Sequence, residues 1–493
     1  MFEKVTPESV GIKSENVIKF INAIEKRGAN THGLLMMRGD RIFAEGYWKP
    51  FNKDFLHRMY SETKTFVSIA IGLLEERGLI SLDDKIYKYF PEKIDGELPE
   101  YLKDQTIKEM LMMATVGECS WWFASGDNDR THLYLNDQRN TVPSGMRFKY
   151  DSAASQVLSS LVEKLTGKKL LDYLKEKIFN KIGSFKTATI LKTPNGDSWG
   201  DSGLLCTLRD MASFGRLLMN NGVWNGERLI SKDYLSKAMS KLIDNRSSVF
   251  YSADEFGYGY QIWRVCGNGF ALIGMGLQLT LCYPDKDIIV VITSDNQGNE
   301  WIKQLVLNGV EDFILDTAVN GAIEENIEEQ RRLENILNSL DLKSLKGLND
   351  SPLRKQIDGK TFVCSENTMG MKEFSFSFES KTKGMLKYVN AQGEKILPFG
   401  INCNEFGKFP QTGYSNEYGA VKTTDGFTYR DAVSLAWFDQ NKIGLFVQII
   451  DKYFGNVGAI FTFHGDKAYA TFKANGENFL NEYRGELVAT RKD

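Results

Sequence analysis

The segment Phe66–Leu74 (Phe-Val-Ser-Ile-Ala-Ile-Gly-Leu-Leu) puts apolar side chains on nearly every side of the helix predicted over residues 61–78. A surface helix keeps a polar stripe, whereas a helix that is apolar all round has to be enclosed by other elements. The chain must therefore build a domain large enough to surround a whole helix. Its 493 residues, 42% hydrophobic and 25% charged, supply material for two or three ordinary domains. Those proportions belong to folded globular chains and exclude a disordered or fibrous one.

The same helix opens on Ser61-Glu62-Thr63-Lys64. Residues three apart on a helix share a face, and the first turn of a helix favours negative charge. A lysine kept from water gives up its proton more readily than one in solution, and can then activate a serine. Ser61 is the candidate nucleophile and Lys64 the candidate base. The spacing recurs at Ser380-Lys381-Thr382-Lys383, in a polar turn between strands with no apolar helix behind it. That copy leaves its lysine in water and is read as functionless.

Tyr150-Asp151-Ser152 stands just before the helical stretch 153–165. A tyrosine at such a junction can relay a proton to a leaving group when a cation lies beside it. Taken alone, a tyrosine packing a loop is the plainer reading. Tyr134-Leu135-Asn136, Tyr388-Val389-Asn390 and Tyr414-Ser415-Asn416 offer similar local patterns.

What is sparse also constrains the chemistry. Four histidines and six cysteines, without metal-ligand spacing or a C-x-x-C pair, signal neither a metal site nor a disulfide framework. No cofactor is indicated. A net charge of -3 gives no electrostatic case for nucleic acid or an anionic membrane. The first residues lack a signal-peptide pattern, and no apolar run approaches the roughly 20 residues needed to span a bilayer. The expected location is the cytoplasm.

Around the central helix the pattern alternates. A helix over 14–27 precedes the hairpin strands Gly33–Met37 and Ile42–Trp48, and helical segments with loops run to about residue 245. Strands are predicted at Gly259–Arg264, Gly269–Gly274, Leu277–Tyr283 and Ile288–Ser294, then a helix over 300–317. Strands at both ends with helices between predict an α/β (α+β) domain: one antiparallel sheet flanked by helices, with a helical subdomain. Residues 322–350 are highly charged and read as a helical linker. Beyond 351, alternation at Phe374/Phe376/Phe378, Ile443/Leu445/Val447/Ile449 and Phe461/Phe463 predicts an all-β barrel or sandwich. The expected domains are 1–321, 322–350 and 351–493.

Five stretches carry a family resemblance in order. They are Glu45-Gly46-Tyr47-Trp48, His57-Arg58-Met59-Tyr60-Ser61-Glu62-Thr63-Lys64, Ser144-Gly145-Met146-Arg147-Phe148-Lys149-Tyr150, Gly203-Leu204-Leu205-Cys206-Thr207-Leu208-Arg209-Asp210-Met211 and Gly274-Met275-Gly276-Leu277-Gln278. From about residue 5 to 317 the chain resembles the class C β-lactamase-like serine hydrolases. These include penicillin-binding carboxypeptidases, D-aminopeptidases, β-lactamase-like esterases and 6-aminohexanoate-dimer hydrolases. The resemblance implies a β-lactamase/transpeptidase-like fold in which Ser61 is acylated, Lys64 is its base and Tyr150 moves the leaving-group proton. It also implies an oxyanion hole from the backbone N–H groups of Ser61 and Met275. Gly274 would let its strand approach the substrate, and Ser152 stands where many relatives carry Asn. The C-terminal part loosely resembles the lipocalin-like modules appended to some of these hydrolases.

One departure bears on substrate. The third family motif, usually Lys-Thr-Gly or His-x-Gly, is here Leu272-Ile273-Gly274, which lacks a cation for a substrate carboxylate. Efficient β-lactamase or carboxypeptidase activity is therefore not expected. The expected function is hydrolysis of a small ester or amide, or of a short peptide, without metal or cofactor, nucleic acid or membrane; a homo-oligomer is compatible. The rivals are a D-amino-acid-specific peptidase or transpeptidase, and a non-catalytic binding protein on a hydrolase fold. Gly200-Asp201-Ser202-Gly203 is similar to the nucleophile loop of trypsin-like proteases, but the rest of that pattern is missing, so Ser202 is read as a loop residue near the pocket. Trp121-Trp122-Phe123 is read as packing as readily as pocket lining.

Overall fold

Ile288–Ser294 (Ile-Ile-Val-Val-Ile-Thr-Ser) has no polar alternation, the mark of a strand covered on both faces. In the computed structural model, which describes residues 2–139, 141–246, 256–421 and 427–492, all seven of its residues are buried. It lies at the centre of a seven-stranded sheet. In order, the strands are Glu3–Lys4, Arg41–Tyr47, Thr31–Arg38, Ile288–Ser294, Gln278–Tyr283, Phe270–Gly274 and Trp263–Arg264. All pairings are antiparallel except that of Glu3–Lys4, so the sheet is assembled from both ends of the segment as the pattern predicts.

Because side chains alternate along a strand, the sheet feeds two cores. Leu34, Met36, Val290 and Ile292 pack with Val17 and Ile21 of the helix Ser14–Lys26 and with Ile302 and Val306 of the helix Trp301–Val310. Leu35, Met37, Ile289 and Val291 face the other way, into the core that contains the helix Thr63–Glu76 and the helix Leu208–Met219. Glu45 joins the sheet to the latter helix, accepting two hydrogen bonds from Arg209 at 2.7 and 2.8 Å.

The predicted strand Gly259–Arg264 shortens to Trp263–Arg264. Gly259 is pressed against the Ala238 carbonyl, where an added Cβ would lie 2.0 Å away, and Gln261 takes φ +55° while its N–H donates to the Leu111 carbonyl. The backbone there is spent on loop contacts and not on a ladder. In the charged stretch, Ile327–Asn338 is helical and buries Leu333 in the first of the two cores.

The described residues form two compact units. The first comprises Met1–Ser294, Glu300–Asp341 and Glu417–Gly419; the second comprises Asp295–Asn299, Leu342–Asn416 and Ala420–Asp493. The second unit holds a closed nine-stranded barrel. Its strands run Gly393–Ile401, Lys383–Asn390, Glu373–Phe378, Thr361–Cys364, Gly485–Arg491, Lys467–Gly476, Phe454–His464, Lys442–Ile450 and Arg430–Trp437. Parallel pairing of Gly400 with Ser434 and Ile401 with Leu435 closes it. Phenylalanines at alternate positions fill the interior: Phe362 stacks on Phe374 at 5.4 Å, and Phe376 meets Phe461 edge-on at 5.1 Å. Among the described residues, no helix is long and apolar enough to cross a membrane.

Candidate active site

The short strand His57–Arg58 pairs with Leu204–Cys206, and the Met59 N–H donates to the Leu204 carbonyl at 2.8 Å. Tyr60 then takes φ +48°, a left-handed conformation that costs a bulky residue on the order of 1–3 kcal/mol. The turn it makes delivers Ser61 into a single 3-10 turn, Tyr60–Glu62, before the α-helix Thr63–Glu76 begins. Thr63 locks the junction: its hydroxyl donates to the Tyr60 carbonyl at 2.6 Å and accepts from the Leu204 N–H at 3.2 Å. Every residue from Thr63 to Leu74 is buried, as the apolar pattern requires. Fully buried side chains such as Phe66, Ile69 and Leu74 each contribute about 1.5–3 kcal/mol to holding the helix in place.

Lys64 is 1% exposed, with Nζ 3.1 Å from Ser61 Oγ and 2.7 Å from the carbonyl oxygen of Asp201. The Asp201 carboxylate is farther, at 3.9 Å. The two sequence candidates are thus in direct contact. The second copy of the motif differs: Lys383 reaches the surface and pairs with Glu405 at 2.8 Å.

Tyr150 places its ring 5.1 Å from Lys64 Nζ and stacks on Trp263 at 5.8 Å. It is 37% exposed, and its hydroxyl makes no hydrogen bond to Ser61 or Lys64. Catalytic hydrogen bonds often form only when substrate is present. The ring is carried by the loop just before the helix Ser152–Thr166, which Asp151 caps. Asp151 accepts from the N–H groups of Ala153 and Ala154 at 2.9 and 3.2 Å and from the Thr115 hydroxyl at 2.8 Å. Burial nevertheless pushes the Asp151 carboxyl above its ordinary value. Ser152, the first residue of that helix, is half-buried and makes no hydrogen bond to Ser61, Lys64 or Tyr150.

Gly274 ends the strand Phe270–Gly274, and an added Cβ would lie 2.3 Å from the Met59 carbonyl oxygen. Its smallness therefore lets the strand pass the residue two before Ser61. Met275, the next residue, is 45% exposed. The Met275 turn is held from beneath. The Gln278 side chain donates to the carbonyls of Met275 and Ser294 at 2.8 and 2.7 Å, and accepts from the Ser294 N–H at 3.1 Å. The Ser294 hydroxyl lies 2.7 and 2.8 Å from the Gly276 and Leu277 carbonyls. Leu272 is 1% exposed and belongs to the core around the helix Thr63–Glu76.

Sequence reasoning missed three of these residues. Asp201 acts through its backbone carbonyl, which any residue possesses. Gln278 and Ser294 are fully buried polar residues at the ends of apolar strands, and that contrast was the available signal. Glu62, beside Thr280, has its carboxyl pushed well above the ordinary range by burial. His32 and His57 form a buried hydrogen-bonded pair at 2.9 Å, and burial lowers both imidazoles, that of His57 to about 3. Trp122 packs edge-on to Trp199 at 5.3 Å, while Trp121 covers the Arg130 guanidinium at 3.3 Å.

The family model described as Beta-lactamase matches residues 20–305. The 6-aminohexanoate-dimer hydrolase of Paenarthrobacter ureafaciens is 25% identical over 286 residues, covering 53% of this chain and 71% of its own length. Among solved structures, a Bacillus anthracis protein assigned as a 6-aminohexanoate-dimer hydrolase is 20% identical with a TM-score of 0.53, covering 63% of this chain and 86% of that one. A β-lactamase/D-alanine carboxypeptidase from Yersinia pestis is 16% identical with a TM-score of 0.50, covering 62% and 98% respectively. Both structural likenesses are likenesses of fold.

Proposed function

Because the chain belongs to the β-lactamase family and is a serine hydrolase, we propose that it cleaves a small, uncharged ester or amide through an acyl-enzyme on Ser61. The observation that carries this reading is the 3.1 Å contact between Ser61 Oγ and the buried Lys64 Nζ. Lys64 takes the Ser61 proton as Oγ attacks the substrate carbonyl carbon. The oxyanion that forms accepts hydrogen bonds from the N–H groups of Ser61 and Met275, the second held by the Gln278–Ser294 buttress. Tyr150, its ring against Lys64, passes the proton to the departing alcohol or amine. Water then attacks the acyl carbon by the reverse of these proton transfers, releasing the acid and freeing Ser61.

Support for an uncharged substrate comes from Leu272. Its side chain is enclosed in the core, so a substrate carboxylate finds no cation on that strand. Stripping a carboxylate of water without a partner costs several kcal/mol. The test is pre-steady-state hydrolysis of a short-chain nitrophenyl ester. A burst of nitrophenol stoichiometric with enzyme, absent in Ser61→Ala, is expected; linear release by wild type with equal turnover in Ser61→Ala would refute the reading.

A further inference from the structure

Arg58, on the short strand three residues before Ser61, is 1% exposed. Its guanidinium carbon lies 4.3 Å from the centre of the Tyr60 ring and 4.5 Å from that of Trp199. In the plane between them, Nε donates to the Ser202 carbonyl at 3.0 Å and one terminal nitrogen donates to the Ser202 hydroxyl at 3.1 Å. A buried cation is tolerated only where its charge and its donors are met. Two aromatic faces and two oxygens suit a planar guanidinium, whereas the compact ammonium of a lysine has neither flat faces nor in-plane paired donors.

What Arg58 grips matters more than how it is satisfied. Tyr60 is the residue before Ser61 and carries the left-handed turn that aims it. Ser202 follows Asp201, whose carbonyl receives Lys64 Nζ. One side chain therefore joins the peptide beside the nucleophile to the peptide that holds the base. The far partner, Trp199, is itself confined: an added Cβ on Gly419, a residue of the same compact unit, would lie 1.8 Å from its ring. Gly200 is equally constrained, since a Cβ there would fall 2.2 Å from Ser159 Cβ.

We propose that Arg58 is a positioning residue that sets the Ser61–Lys64 distance by clamping Tyr60 to the Asp201–Ser202 peptide, without touching substrate. The proposal rests on Ser61 and Lys64 acting as nucleophile and base. Displacement of reacting groups by about 1 Å costs about 100-fold in rate. Arg58→Lys keeps the charge but loses the flat faces and the paired donors. Gly419→Ala removes no side chain of the clamp but pushes the Trp199 ring.

The experiment counts competent sites by fluorophosphonate labelling carried to completion, mapped by mass spectrometry, and then measures kcat and KM for a nitrophenyl ester per labelled site. Arg58→Lys is expected to lose about 100-fold in kcat and Gly419→Ala about 10-fold, with little change in KM and labelling slowed in parallel. If Arg58→Lys loses activity only in proportion to its labelled sites, with wild-type kcat at each, Arg58 merely supports the fold and the proposal falls. Should Arg58→Lys yield no labelled sites, Gly419→Ala decides: wild-type kcat per site overturns the clamp, and the slower rate sustains it. Wild-type protein labelled away from Ser61 would overturn the reading of the nucleophile and the clamp with it.

Discussion

Ser61–Lys64 and Ser380–Lys383 carry the same two residue types at the same spacing, yet the fold treats them oppositely. Lys64 is enclosed, touching Ser61 Oγ and a backbone carbonyl, while Lys383 stands at the surface paired with Glu405. Ser380 spends its hydroxyl accepting from the N–H groups of Thr382 and Lys383 in an exposed turn. A motif of this kind gains chemistry from what encloses it. The apolar helix behind Lys64 and the Asp201 carbonyl in front of it make the difference.

The strongest way to break that contrast is to remove both serines in turn. Ser61→Ala is expected to lower turnover by roughly 10⁴- to 10⁶-fold with the fold retained, and Ser380→Ala to leave kcat/KM unchanged. Steady-state ester hydrolysis by the purified proteins checks this; more than a tenth of wild-type activity in Ser61→Ala would dissolve the contrast. The lysines follow. Lys64→Arg should be nearly as damaging as Lys64→Ala, a loss of about 10²- to 10⁴-fold, because a guanidinium does not give up its proton. Lys383→Arg should be silent. An active Lys64→Arg enzyme would mean that position needs only charge.

On the proposed reading, enclosure also governs the substrate. With Leu272 buried where relatives present a cation, kcat/KM for a short-chain nitrophenyl ester should exceed that for nitrocefin by at least about 100-fold, roughly 2.7 kcal/mol. Comparable values would reveal another cation serving the carboxylate.

The smallest effect extends the same lesson to two buried carboxyls. Glu45 is opposed by burial, but hydrogen bonds from Arg209, Lys4 and Tyr47 outweigh it and hold the carboxyl at about 2. Asp431, within the barrel strand Arg430–Trp437, has no such partner on Oδ2, and burial pushes it up to about 7. The signs are opposite. The stability Glu45 contributes is present above about pH 4 and lost as pH falls towards 2. Asp431 is harmless below about pH 4, where it is neutral in both states, and its cost grows as pH rises to 7. Asp431→Asn should therefore raise the melting temperature at pH 8, by the equivalent of about 1–3 kcal/mol, with the gain vanishing near pH 4. Glu45→Gln should lower it at pH 7. Thermal denaturation across pH checks both, and a gain for Asp431→Asn that persists at pH 4 would rule out ionisation as the cause.

Much of this was legible before any coordinates. The helix behind Lys64 announced its burial through apolar residues on all sides, and the alternation at Phe374, Phe376 and Phe378 announced a strand of an all-β barrel or sandwich. The departure at Leu272 was equally plain. What escaped the sequence acts through groups that side-chain identity does not encode. Asp201 serves by its carbonyl, and Gly274 is small because Met59, far away in the sequence, lies against it. Gly259–Ile262 looked like a strand but spends its hydrogen bonds on Ala238 and Leu111. Ser152, read as a substrate-site residue, is the first residue of the helix that Asp151 caps.

The most direct test of the account is the mass of the intact protein, and of its peptides, after incubation with a short-chain nitrophenyl ester and rapid acid quenching. An increase equal to one acyl group, located on Ser61 in wild type and in Ser380→Ala and missing from Ser61→Ala, is the predicted result. An acyl group found on Ser61→Ala, or mapped in wild type to any residue other than Ser61, would contradict the claim that enclosure has made this copy of the motif the catalytic one.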